Sequence, residues 1–196
     1  MQDINCLVTF SSRTGSTEKL ALAAALGAVQ ARANIRLRWL RENVDDQAVS
    51  NVPGWSENRE RMAKEYIAPR EIDFLWADVL MLGMPARDGV SSPELETYLE
   101  ALKALHSAGK LKGKIATAFT AESSGAGPND AALVSLCSIF DGLDLILVPP
   151  DPSAGNAAGS ARLHGRRVTE VARGLKNRPP PLAPDPPLAA PRQPRG

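Results

Sequence analysis

Three short stretches of the chain carry residue types able to do chemistry. The first is Ser12-Arg13-Thr14-Gly15-Ser16-Thr17, which lies between an apolar run and an alanine-rich segment. A turn of this kind at the start of a helix points backbone N–H groups at an anion, and the hydroxyls of Ser12, Thr14, Ser16 and Thr17 add donors. It has neither the Gly-x-x-x-x-Gly-Lys-Ser/Thr of a nucleoside-triphosphate loop nor the Gly-x-Gly-x-x-Gly of a dinucleotide loop. One glycine among hydroxyls suits a terminal phosphomonoester. A polar turn capped by Ser or Thr that binds nothing is the competing reading. The second stretch is Pro85-Ala86-Arg87-Asp88-Gly89-Val90, and the third is Thr120-Ala121-Glu122-Ser123-Ser124-Gly125-Ala126-Gly127. Their small residues leave room for a flat ring and bring backbone amides near it. Either one alone is an ordinary loop; it is their joint occurrence that argues for a site.

Other reactive side chains point less clearly. Asp88 and Glu122 are carboxylates within the candidate loops, but no third residue type completes a hydrolytic constellation. His106 stands near Gly109, where the end of a helix favours partial positive charge. His164 lies beside Arg162, Arg166 and Arg167, as on a solvated helix face. The two histidines are 58 residues apart, which disfavours a histidine metal site. Cys6 and Cys137 sit among apolar neighbours without a Cys-x-x-Cys pair and read as buried, reduced thiols. Trp39, Trp55 and Trp76 read as packing residues.

The elements that must position these stretches follow from hydrophobic pattern. Residues 4–10 (INCLVTF) form an apolar strand, and helical spacing follows from Ser16 to about Arg32. Residues 35–39 alternate apolar and basic side chains, as a strand at or near a sheet edge does. Residues 42–66 show no strand pattern, and a polar helix is expected after Pro53. Residues 77–83 (ADVLMLG) form a third strand, with a helix starting at Ser92-Pro93. Residues 115–120 form a fourth strand and 143–148 a fifth, followed by a last helix over about 155–175. Repeated β-α units with short apolar strands make a parallel sheet covered on both faces. Five strands suit a flavodoxin-like three-layer α/β sandwich of order 2-1-3-4-5. In that order the three stretches converge at the carboxyl ends of the first, third and fourth strands, where such sheets bind ligands.

The chain has 196 residues, 23 basic and 22 acidic, for a net charge of +1. One domain over residues 1–176 is expected, with a disordered Pro-rich tail over 177–196. Eight of the 16 prolines lie in the last 21 residues, where the net charge is +3, leaving −2 on residues 1–175. The near-neutral balance gives no case for nucleic-acid binding, and no apolar run is long enough to span a membrane. The Met1-Gln2-Asp3 start lacks a basic leader, so a cytoplasmic location is expected.

Residues 11–21 (SSRTGSTEKLA), 77–102 (ADVLMLGMPARDGVSSPELETYLEAL) and 111–127 (LKGKIATAFTAESSGAG) together resemble the WrbA-type NAD(P)H:quinone oxidoreductases, with a looser match over 140–150. The Gly83-x-Pro85-x-Arg87-x-Gly89 pattern carries most of the likeness. The resemblance implies an FMN protein that takes electrons from NAD(P)H and passes them to a quinone or similar acceptor. It implies that residues 12–17 hold the FMN phosphate. Pro85, Ala86, Arg87, Asp88 and Gly89 would border the ring, and Thr120, Ala121, Glu122, Ser123, Ser124 and Gly125 would line its other edge. It also implies a homo-oligomer, a dimer or tetramer built around the flavin sites. Apolar Val49, Val52, Trp55, Met62, Tyr66 and Ile67, lying outside the β-α units, supply a surface that a neighbouring subunit or the same chain would cover. The chain departs from the family pattern by carrying Thr14 and Asp88 where aromatics are usual, and Asp141 where a His is usual. His106 stands where the family has a Trp at the mouth of the site, which makes it a weak substrate-contact candidate. The alternative to an enzyme is a flavodoxin-like electron carrier or a flavin-poor scaffold. Carriers are strongly acidic, which the −2 of residues 1–175 is not.

Overall fold

The computed structural model describes residues 3–85, 92–121, 131–150 and 157–177. Five parallel strands form one sheet in the order β2-β1-β3-β4-β5: β1 (Ile4–Phe10), β2 (Ala33–Trp39), β3 (Val79–Pro85), β4 (Ile115–Ala121) and β5 (Ile146–Leu147). The helices are α1 (Ser16–Gln30), α2 (Asp46–Ser50), α3 (Trp55–Glu65), α4 (Glu71–Trp76), α5 (Pro93–Ser107), α6 (Ala131–Asp141) and α7 (Ala157–Lys176). Among the described residues no helix is long and apolar enough to cross a membrane.

The central strands read as unbroken apolar runs because both of their faces are buried. Cys6, Val8, Phe10, Val79 and Met81 pack under α1 and α7, while Leu7, Leu80 and Leu82 face α4, α5 and α6 on the other side. The α1–α7 layer is drawn tight by two glycines. A Cβ at Gly27 would overlap the carbonyl of Arg162, and one at Gly165 would overlap the carbonyl of Ala24. That close approach turns His164 inward. It is 6% exposed, and its Nε2 lies 2.6 Å from the hydroxyl of Thr117 in the middle of β4. The expected solvated His164 is therefore a buried residue between α7 and the sheet.

At the sheet edge, the basic alternation of β2 has a specific cause. Arg36 and Arg38 both reach the buried carboxylate of Asp73 in α4, at 3.0 and 2.7 Å, and the Arg36 guanidinium stacks 4.2 Å from the centre of the Trp76 ring. Burial raises the Asp73 pKa, but hydrogen bonds from Arg38, the Arg70 backbone and Arg36 outweigh it and hold the carboxyl below its ordinary value. The third strand starts two residues later than expected because Asp78 is spent as a clamp. Its carboxylate accepts from the Asn5 N–H at 2.9 Å and from Lys176 at 3.0 Å. The fifth strand is shorter than expected because Asp144 adopts φ 55°, which breaks the extended run, although Leu143 and Leu145 still enter the core.

Residues 42–67 fold back on their own domain. Val49, Trp55 and Met62 are buried within the chain, the same-chain alternative of the two expected for this segment; of the six apolar residues only Ile67 is exposed. Cys6 is buried, and burial pushes its thiol up to about 12. Cys137, expected to be buried, is half-buried on α6. The tail expected over 177–196 lies outside the described residues apart from Asn177.

Candidate functional site

The register brings the carboxyl ends of the strands together. Phe10 pairs with Gly83 and Pro85 with Ala121, so the chain leaving β1 emerges beside the ends of β3 and β4. Ser12–Thr17, Pro85, Thr120 and Ala121 therefore share one edge of the sheet. Ala86, Arg87, Asp88 and Gly89, and Glu122, Ser123, Ser124 and Gly125, lie outside the described residues. His106 is in the last turn of α5, which runs back from this edge for 15 residues, roughly 22 Å at 1.5 Å per residue. There it hydrogen-bonds Asp144 at 2.9 Å, at the opposite end of the sheet from the loops.

The loop after β1 is shaped before any ligand arrives. The Ser11 N–H donates to the Gly83 carbonyl at 3.0 Å, and the Gly15 N–H donates to Ser12 Oγ at 3.1 Å. Gly15 adopts φ 88°, a region L side chains rarely enter, and α1 begins immediately after it. No side chain caps that helix, and its first N–H groups have no intrahelical acceptor. The exposed hydroxyls of Thr14 and Ser16 lie 3.1 Å apart. Thr17 is 1% exposed, and its methyl faces Gly83, 3.1 Å from where a Cβ would stand there. Its hydroxyl is buried with no hydrogen-bond partner among the described residues. An uncapped helix N-terminus with an unspent buried hydroxyl is suited to a terminal phosphate.

The side chain of Arg13 turns away from the loop's own amides. Its guanidinium pairs with Glu42 and stacks 4.2 Å from the centre of the Trp55 ring. Glu18, in the first turn of α1, is 5% exposed and held by Arg61 at 2.5 Å and by the Tyr66 hydroxyl at 2.8 Å. Burial raises its pKa, but the bonds from Arg61 and Tyr66 and the charge of Arg61 outweigh that, so the carboxyl sits below its ordinary value. Burial, then the bond to Glu18, pushes the Tyr66 hydroxyl up to about 12. Sequence reasoning missed Glu18, Glu42, Trp55 and Arg61 as neighbours of the loop. The one local signal was the acidic residue in the first turn of α1; the others lie far along the chain.

No protein-family model matches the chain. Among curated proteins it is 30% identical over 188 residues to the NAD(P)H dehydrogenase (quinone) of Archaeoglobus fulgidus, covering 86% of this chain and 97% of that one. It is 26% identical to the protein of the same name from Deinococcus radiodurans, covering 81% and 82%. Among solved structures it resembles a WrbA-like flavodoxin from Agrobacterium tumefaciens, at 22% identity and a TM-score of 0.57, over 88% of this chain and 99% of that one. A flavodoxin of Streptococcus pneumoniae gives a TM-score of 0.56 at 17% identity, over 87% and 98%. With the fold matching and the A. fulgidus relationship spanning nearly the whole of both proteins, the chain belongs to the NAD(P)H dehydrogenase (quinone) family of flavodoxin-like, WrbA-type proteins.

Proposed function

We propose that the protein is an FMN-dependent oxidoreductase that passes two electrons from NAD(P)H to a quinone or similar acceptor. The observation that carries the FMN reading is the buried Thr17 hydroxyl, unpartnered among the described residues, at the uncapped start of α1. The names of the relatives support the donor and the acceptor. Bound FMN supplies reversible two-electron chemistry at its ring. The chain's part is to bind, orient and enclose. Backbone N–H groups of residues 13, 14, 16 and 17 and the hydroxyls of Thr14, Ser16 and Thr17 grip the phosphate, and Ser12 holds the loop's shape through the Gly15 N–H. Pro85 and the residues after it, Ala86, Arg87, Asp88 and Gly89, border the ring on one side. Thr120 and Ala121, with Glu122, Ser123, Ser124 and Gly125, line its other edge. Backbone amides there stabilise negative charge that builds up on reduction. No side chain has to act as a nucleophile or strong base.

The working unit is residues 1–176, in the cytoplasm, assembled as a dimer or tetramer. Leu22, Leu26 and Val29, 43%, 49% and 51% exposed at helical spacing on α1, support assembly. Sedimentation equilibrium with flavin present should give a mass above that of the 20.9 kDa chain; a monomer at micromolar concentration refutes assembly. The cofactor test is fluorescence titration of apo-protein with FMN and with FAD, followed by NADH and NADPH oxidation with benzoquinone as acceptor. FMN should bind tighter and support turnover. Tighter FAD binding, or no quinone-dependent oxidation, overturns the reading.

A further inference from the structure

The segment inserted between β2 and β3 touches the phosphate loop through two arginine–carboxylate pairs, and their placement suggests a role beyond packing. Arg13 sits inside the loop, yet its charge is spent on Glu42, and its guanidinium lies flat on Trp55, the first residue of α3. Trp55 is 3% exposed, so the stacking surface is fixed. Glu42 is further held by the Ser11 hydroxyl at 3.3 Å. The loop is therefore tied at Ser11 and Arg13 to one carboxylate, and at Arg13 to one aromatic face.

The second pair has an electrostatic consequence. The Glu18 carboxylate oxygen lies 3.6 Å from where a Cβ on Gly15 would stand, and the Asn58 side chain lies 3.8 Å from the same point. A negative charge is thus built against the turn that receives an anion. Arg61 of α3 meets Glu18 through two nitrogens, at 2.9 and 2.5 Å, while also bonding Asn58 and Glu65. Hydrogen bonding to Glu18 raises the Arg61 pKa further, so the countercharge is permanent across ordinary pH. Without it, the phosphate and Glu18 would repel at close range.

We propose that Arg13 and Arg61 are positioning residues through which α3 sets the phosphate-dependent part of flavin affinity: Arg13 locks the loop onto Trp55 and Glu42, and Arg61 cancels the charge of Glu18 beside the bound phosphate. The proposal rests on residues 12–17 being the phosphate loop.

The test compares FMN with riboflavin, which has the same ring and no phosphate, by fluorescence quenching of apo-protein. Wild type should bind FMN much more tightly than riboflavin. Arg13→Ala leaves loop residues to be ordered on binding and should weaken FMN by about tenfold, with riboflavin changed less than about twofold. Trp55→Phe keeps an aromatic face and should stay near wild type. Arg61→Ala should weaken FMN by about tenfold or more at low salt and less at high salt, and Glu18→Gln/Arg61→Ala should recover most of the loss. Circular dichroism and melting confirm the fold, and Glu42→Gln stands in for Arg13→Ala if that variant does not fold. Equal losses of FMN and riboflavin make both arginines merely structural and overturn the proposal. Unchanged FMN affinity in both single variants does the same, as does failure of the double variant to recover. Equal affinity of wild type for FMN and riboflavin removes the phosphate reading itself, a failure distinct from the others because it precedes any substitution.

Discussion

Thr17→Val tests the core of the site, because it should move two quantities in opposite directions. Valine replaces the hydroxyl by a methyl of similar size, and Thr and Val have similar helix propensities. The Thr17 methyl already packs toward Gly83, and the residue is 1% exposed, so the shape of the pocket is preserved. In the apo-protein the hydroxyl is buried without a partner among the described residues. A buried polar group left unsatisfied costs about 1–3 kcal/mol, which the valine removes. For a chain of this size each kcal/mol moves Tm by about 2–4 °C, so the apo-protein should melt roughly 2–12 °C higher. In the complex the same hydroxyl donates to a charged phosphate, a bond contributing about 1.5–3 kcal/mol, so FMN affinity should fall about tenfold to 150-fold. Riboflavin affinity should hold. Differential scanning calorimetry of the apo-protein and fluorescence titration of both flavins read out the pair of effects. A lower apo Tm would mean the hydroxyl has a partner inside the protein. Unchanged FMN affinity with the fold intact would move the phosphate away from Thr17.

Three further outcomes are expected. Gly165→Ala places a methyl into the Ala24 carbonyl and forces α1 and α7 apart, so it should cost about 1–3 kcal/mol or more and lower Tm by several degrees; an unchanged Tm would show that the helices do not cross there. Glu18 and Asp73 both have carboxyls held below their ordinary pKa, so their contribution is fully present above the unfolded value near ~4 and is lost as pH falls through the lower folded values. Urea unfolding at a series of pH values should show stability flat above about pH 5 and falling below about pH 4, and the fall should become shallower in Asp73→Asn; a fall of the same steepness in that variant refutes the assignment. Removal of residues 178–196 spares Lys176, which anchors Asp78, and should leave Tm and FMN affinity unchanged; a drop of many degrees would show that the tail packs on the domain.

What could be read from the sequence was whatever is written locally. Strand, turn and helix follow one another within residues 4–30, so the loop at 12–17 and its place at a strand's carboxyl end were legible from hydrophobic period and one glycine. The strand order followed from five β-α units and the rules of parallel sheets. Strand limits failed where a single side chain or φ value took over, as at Asp78 and Asp144. His164 was misread although its period was present: residues 164, 168, 171 and 175 share one face, and Val168, Val171 and Leu175 all join the core. The neighbouring arginines drew the reading toward solvent, whereas spacing, not composition, decides which way a helical residue points.

The supports of the site were not legible because pairing energy leaves no periodic trace. Arg13 and Glu42 are 29 positions apart, and Glu18 and Arg61 are 43 apart. In the sequence, nothing assigns the Arg13 side chain a partner, and the apolar residues of 42–67 could be covered by a neighbouring subunit or by the same chain. Folding answers both questions with one arrangement: the same chain buries Trp55 and Met62 of α3, and the Arg13 guanidinium stacks on Trp55 and pairs with Glu42. On the proposed reading, the anion is then held by groups with fixed dipoles, the N–H groups at the start of α1 and the short hydroxyls, whose positions depend on how firmly the loop is held. A loop built this way exchanges a flexible charged contact for a rigid neutral one. If residues 12–17 hold the phosphate as proposed, selectivity for it is governed as much by the insertion as by the loop's own residues.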